Sequence, residues 1–206
     1  MLIFLRHELA FLANPKTGTT AVEMALKPRA EIVFAKRRKH LTAQRYIRKV
    51  LPFLQDTFGK APAAVAVMRD PVDQVGSWYR YRNGARLKGS ELSTDGMSFD
   101  AYVREVAMGE DAPPRARIGS QHSFLTDRGD LMVHHLFAYE AQPAFRGFLE
   151  RQLDMELKLK PKNVSPPADT RVSAEARALL EAARPEDFAL YARLRDAGGY
   201  LETDIS

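Results

Sequence analysis

Phe11-Leu12-Ala13-Asn14-Pro15-Lys16-Thr17-Gly18-Thr19-Thr20 is an apolar run that breaks at Asn-Pro and then delivers a lysine, a glycine and three threonines. That order reads as a buried strand, a tight turn and the first turn of a helix. A helix start leaves backbone N–H groups without intrahelical acceptors at the positive end of the helix dipole, so such a turn can hold a phosphate or sulfate, and Lys16 adds a full charge. The plain alternative is an ordinary strand-to-helix turn with a surface lysine.

Working outward, Leu2–Leu5 and Leu9–Ala13 flank Arg6-His7-Glu8 and read as a hairpin whose second strand feeds the turn. The helix after it runs from Thr19 to about Leu26 and stops at Lys27-Pro28. Glu31–Ala35 reads as a strand. Thr42 is placed to cap a helix from Ala43 to about Phe58, with Tyr46, Ile47, Val50, Leu51 and Leu54 on one face and Gly59 closing it. Ala61–Met68 is a continuous apolar run of the kind found in parallel sheets. It ends in Arg69-Asp70-Pro71, where Asp70 suits an N-cap and Pro71 the first position of a helix to about Leu87. Strand, turn and helix therefore occur twice, the rhythm of an α/β sheet that binds ligands at the carboxyl ends of its strands.

Further along, Lys88–Gly96 and Gly109–Arg117 read as loops around a helix over Phe99–Met108. Leu131–Phe137 reads as a late strand after a turn at Arg128-Gly129-Asp130, and a helix follows from about Pro143 to Leu153. Lys160–Thr170 reads as a proline-rich loop, and Ser173–Arg193 as helix broken near Pro185.

A chain of 206 residues, 45% of them hydrophobic, can bury one substantial core, and one domain is expected. Cysteine is absent, so disulfides and thiolate metal sites are excluded, in keeping with a reducing cytoplasm. The apolar start meets Arg6-His7-Glu8 too soon for a signal peptide or a membrane span, and the expected location is cytoplasmic. Thirty-one Lys and Arg against 26 Asp and Glu give a net charge of +5, a bias towards anionic partners. The positive charge gathers at Lys36–Lys39, at Arg45, Arg48 and Lys49, and at Arg80, Arg82, Arg86 and Lys88. No nucleic-acid-binding signature accompanies it. No metal-binding pattern such as HExxH occurs either, and His134 and His135, adjacent on a strand, point to opposite faces.

The turn lacks the G-x-x-x-x-G-K-[ST] spacing of nucleoside triphosphatases, because it has one glycine and the lysine precedes it. Asn14-Pro15-Lys16-Thr17-Gly18-Thr19-Thr20 instead resembles the 5′-phosphosulfate loop of sulfotransferases that use 3′-phosphoadenosine 5′-phosphosulfate (PAPS). Arg69-Asp70-Pro71, with Ser77 eight residues after the arginine, is similar to the same family's second signature. An arginine leaving a strand and a serine two turns along the next helix can converge on one phosphate. Lys39-His40-Leu41-Thr42-Ala43 resembles a K-H-x-T-A segment of the bacterial and carbohydrate members. Gln121, Phe124-Leu125 and Glu140 resemble a later core segment. Asn163 and Ser165 resemble the N-x-S of the C-terminal loop, with Lys162 standing where a histidine is common.

The resemblance implies an α/β, three-layer P-loop-like fold with a central, mostly parallel sheet flanked by helices. It implies transfer of a sulfuryl group from PAPS to a hydroxyl or amine, leaving adenosine 3′,5′-bisphosphate, without a metal. It places Pro15, Lys16, Thr17, Gly18, Thr19 and Thr20 at the 5′-phosphosulfate and Arg69 and Ser77 at the 3′-phosphate. Lys16 also serves catalysis. His40 is the candidate base, because four preceding cations and a helix start should both disfavour imidazolium. His122 is the second choice, with a carboxylate such as Glu140 behind it. Arg115 and Arg117, with Asn163 and Ser165, are candidate substrate contacts, and the loop arginines suggest an anionic acceptor such as a glycan. Two rivals remain: a non-catalytic nucleotide-binding relative, and an atypical P-loop phosphotransferase. Of Trp78, Tyr79 and Tyr81, core packing is the expectation, with adenine stacking as the alternative.

Overall fold

The computed structural model of the protein describes residues 1–158 and 168–205. Its elements in chain order are β1 (Leu2–Phe4), β2 (Leu9–Phe11), α1 (Thr19–Leu26), β3 (Ile32–Val33), α2 (Ala43–Arg45), α3 (Leu51–Phe58), β4 (Ala63–Met68), α4 (Pro71–Arg82) and α5 (Phe99–Ala107). They continue as α6 (Gln121–Leu125), β5 (Thr126–Asp127), β6 (Asp130–Leu131), β7 (His135–Ala138), α7 (Gln142–Leu153), α8 (Ala174–Ala183), α9 (Pro185–Asp196) and β8 (Tyr200–Glu202).

Six strands form one mixed sheet in the order β3-β1-β2-β4-β7-β8. Its centre is parallel: Ala10 lies opposite Ala64, and Met68 opposite Ala138. β1, β3 and β8 join antiparallel to their neighbours. The carboxyl ends of β2, β4 and β7 therefore lie side by side, leading into Leu12–Gly18, Arg69-Asp70 and Tyr139-Glu140 respectively.

Side chains alternate across the strands, so each face carries its own apolar cluster. Ala10, Leu12, Ala64, Ala66, Met68 and Leu136 pack with Tyr46 and Leu54 on the α2–α3 side and with Leu190 and Leu194 of α9. Phe11, Ala13, Val65, Val67 and Phe137 pack on the other face with Val22 and Leu26 of α1 and Phe145 and Leu149 of α7. The sheet is thus covered on both faces by helices. A third cluster joins α4, α5 and α8 through Val75, Tyr79, Tyr102 and Leu180.

Local signals account for most boundaries. Thr42 caps α2 through its side chain, and Gly59 ends α3 in the left-handed region. Pro52 cannot donate to the carbonyl four residues back, and the helix accommodates it with a π-turn over Tyr46–Val50. Asp70 Oδ1 accepts from the N–H groups of Val72 and Asp73, with Pro71 as the first helical residue.

Three boundaries differ from expectation. α4 ends at Arg82 rather than near Leu87, and Ala85–Leu87 forms a separate 3₁₀ turn. The expected strand over Leu131–Phe137 splits: Asp130-Leu131 folds back on Thr126-Asp127 across a turn in which Arg128 and Gly129 have positive φ, and only His135–Ala138 enters the sheet. β8, not anticipated, follows Gly198-Gly199, both of positive φ; a Cβ on Gly199 would lie 3.1 Å from that of Ala141. Among the described residues no helix is long and apolar enough to cross a membrane.

Candidate functional site

The turn after β2 is wound by two left-handed residues, Lys16 with φ 68° and Gly18 with φ 74°. For lysine this backbone costs about 1 kcal/mol, a strain that tends to gather at functional sites. Thr17 is buried and its hydroxyl donates to Asn14 O at 2.9 Å, closing the loop on itself. Gly18 is required twice over, by its φ and because a Cβ there would lie 3.1 Å from Tyr139 Cε2. Among the described residues no side chain caps α1, and no acidic residue occupies its first turn. Its leading amides are therefore open to an anion, whereas those of α4 are closed by Asp70.

Around this loop the structure gathers four cations. Lys16 Nζ lies 4.2 Å from the centroid of the Tyr81 ring and 5.2 Å from that of Trp78. Arg82 also faces Trp78, and Arg69 stacks 4.5 Å over Tyr139, the ring that abuts Gly18. Burial, then Arg80, Arg69 and Arg82 in that order, bring the Lys16 pKa down to about 8. Cation–π contacts of about 0.5–1 kcal/mol each do not offset that burial and repulsion; a bound anion would. Two donors, Arg69 Nε and Trp78 Nε1, are buried without a hydrogen-bond partner among the described residues, and such groups call for one. Ser77 lies on α4 one turn beyond Asp73, whose carboxylate is 3.9 Å from the Arg69 guanidinium.

The aromatic trio divides. Tyr79 packs against Phe99 and Tyr102 as expected of a core residue, and Trp78 packs partly against the same cluster while pairing edge-to-face with the exposed Tyr81, both rings turned to Lys16.

A buried amide clasp ties two arms of the site together. Gln121 accepts from Arg69 N at 3.0 Å, donates to Arg69 O at 2.7 Å, and accepts from Asn14 Nδ2 at 3.2 Å. Asn14 Nδ2 also reaches Val67 O at 2.9 Å. Both residues are 1% exposed, so the backbone at Arg69 and the start of the loop are held at a set separation.

His40 enters from the β3 side. Its Nδ1 lies 2.6 Å from Ala13 O, one residue before the loop. A carbonyl can only accept, so Nδ1 carries the proton and the neutral ring keeps its lone pair at Nε2. Its pKa is lowered, as expected, but for a different reason: burial leads, the Ala13 bond opposes it, and Lys39 comes only after these. Lys39 is itself paired with Glu23 at 3.1 Å.

The other candidates are engaged by other partners. The His122 backbone N–H donates to Asp187. Arg115 is held by Glu105, and Arg117 donates to Ala112 O at 2.7 Å, so both have partners within the chain. Asn163 and Ser165 lie outside the described residues. Glu140 accepts from the Tyr191 hydroxyl at 2.9 Å. His134 and His135 find separate partners, Ala64 N and the Tyr200 hydroxyl. An open cleft of about 380 Å³ between Asp70, α8 and α9 is lined by Arg177, Phe188, Tyr191 and Arg195. Among the described residues no group of three or more His, Asp or Glu is placed to hold a metal ion.

Arg80, Arg82, Tyr139, Asn14 and Gln121 are the site residues that sequence reasoning did not single out for these roles. Arg80 and Arg82 had appeared only as part of a basic run; the helical spacing of Arg80 from Ser77 was the available signal. Comparison with protein-family models, curated proteins and solved structures finds no match for this chain.

Proposed function

We propose that the protein is a sulfotransferase of P-loop-like fold that uses PAPS and an acceptor hydroxyl or amine. The observation that carries this reading is the gathering of Arg69, Arg80 and Arg82 around Lys16 beside an uncapped helix start, with Arg69 Nε and Trp78 Nε1 lacking partners among the described residues. In this reading the residues fit such a cofactor, with the loop taking its 5′ end and Arg69 with Ser77, further along the same group of cations, taking its 3′-phosphate. When bound, PAPS supplies a sulfuryl group on a phosphate leaving group.

In this reading Pro15 and Gly18 shape the loop, and the amides of Thr17, Gly18, Thr19 and Thr20 point donors at the 5′ end. Lys16 neutralises charge developing on the leaving oxygen; fixed donors of this kind stabilise a transition state because they need no reorganisation. Arg69 and Ser77 hold the 3′-phosphate, the Arg69 guanidinium giving paired N–H donors. His40 Nε2 takes the acceptor proton.

Calorimetry tests the cofactor. Adenosine 3′,5′-bisphosphate is expected to bind without metal and more tightly than ATP with magnesium; the reverse order would point to phosphoryl transfer. Release of the bisphosphate in the presence of an acceptor separates turnover from binding alone.

The pH profile tests the base. His40 must be neutral and Lys16 charged, so kcat/KM should fall on the acid side at a pH below the ordinary histidine range, through the lowered His40 pKa, and above about pH 8 as Lys16 loses its proton. His40→Ala should lower kcat by ~10²-fold and abolish the acidic limb. A variant that keeps that limb would move the base elsewhere.

A further inference from the structure

We infer that Arg80 supplies a second guanidinium at the phosphate position formed by Arg69 and Ser77, so that this position selects a terminus bearing two negative charges. The inference rests on the reading of that position as the 3′-phosphate site.

Asp73, Ser77 and Arg80 stand four and three residues apart on α4, which places them along one stripe of the helix. Arg69 reaches the same stripe at Asp73. A Cβ on Gly76 would lie 3.5 Å from Arg80 Nη1, an ordinary contact distance, so the guanidinium lies close against the helix. The hydrogen bond found for it is long, Nη1 to Thr170 Oγ1 at 3.3 Å. One hydroxyl engages little of a group with five N–H donors. Among the described residues no carboxylate oxygen lies within salt-bridge distance of Arg80.

Its neighbours differ. Arg82 on the same helix is 7% exposed and donates to Pro114 O at 2.8 Å, a structural anchor. Arg115 is satisfied by Glu105. Among the described residues Arg80 keeps spare donors on the stripe that Arg69 reaches, and burial followed by the Arg69 charge disfavours its charged form, with Asp73 and Tyr139 opposing. A phosphate monoester dianion offers acceptors to both guanidinium groups and relieves that repulsion, whereas a singly charged group serves one guanidinium fully.

The test is calorimetric titration of wild type, Arg80→Gln, Arg80→Lys and Thr170→Ala with adenosine 3′,5′-bisphosphate and adenosine 5′-monophosphate. Arg80→Gln is expected to weaken the bisphosphate about ten-fold or more and the monophosphate by about three-fold or less, and Arg80→Lys to recover part of the loss because it restores charge without the planar fork. Thr170→Ala, which removes the hydroxyl and keeps the guanidinium, should leave bisphosphate affinity intact or raise it. Equal losses for the two nucleotides in Arg80→Gln, or none, would overturn the role of Arg80. So would weakening by Thr170→Ala, which would make Arg80 a scaffold residue. Preference of the wild type for ATP with magnesium would overturn the cofactor reading instead.

Discussion

Replacement of Lys16 with alanine is expected to slow sulfuryl transfer by ~10²-fold or more, the usual cost of removing a preorganised group at a developing charge. The loss should fall on kcat as well as on kcat/KM, because the charge that Lys16 meets grows as the bond to the leaving oxygen breaks. The fold should tolerate the change. Lys16 has a lower pKa folded than unfolded, so the unfolded chain holds that proton more tightly and, below about pH 8, the charged lysine works against folding. Lys16→Ala should therefore melt at the wild-type temperature or above it, in a scan at pH 7. Lys16→Arg keeps the charge at all relevant pH values and should erase the basic limb near pH 8. Alanine activity within about three-fold of wild type would sink the assignment, since that is far below the expected loss.

Arg69→Ala is expected to weaken adenosine 3′,5′-bisphosphate by ~10²-fold while changing adenosine 5′-monophosphate by no more than about three-fold, because truncating one side of a buried, hydrogen-bonded charge pair costs several kcal/mol and only the bisphosphate makes that pair. The substitution is unusually local. Gln121 grips the Arg69 backbone N–H and carbonyl rather than its side chain, so the strand end stays in place when the guanidinium goes. Within the chain the guanidinium stacks on Tyr139 and approaches Asp73 at 3.9 Å, and both interactions are modest at this partly exposed site. Equal losses for the two nucleotides by calorimetry would refute a 3′-phosphate role.

The clasp also shows where sequence reading stopped. Gln121 stood out only as one position in a weak resemblance, and nothing nearby in the chain indicates that its amide would meet Arg69 and Asn14. β8 escaped notice because three residues are too few to show a period. His40 shows a subtler failure: the direction of its pKa shift followed from the neighbouring lysines and arginines, yet burial and the Ala13 carbonyl weigh more. Lys39 sits beside it in sequence but is partly neutralised by Glu23.

What the sequence alone determined is the set of short-range features: the apolar strand before Asn14, the glycine turn, the Thr42 and Asp70 caps, the proline at position 71 and the one-sided helix over 43–58. Each depends on residues within about two helical turns, where backbone sterics and local hydrogen bonds decide. Only the tertiary structure decided which of the scattered arginines share a site, which aromatic rings hold Lys16, and that Tyr139 fills the space beside Gly18. Those outcomes depend on the parallel register of β2, β4 and β7, which aligns three strand ends far apart in the chain. That register follows from packing both sheet faces under helices at once, a condition that the whole folded chain satisfies together and no local stretch encodes.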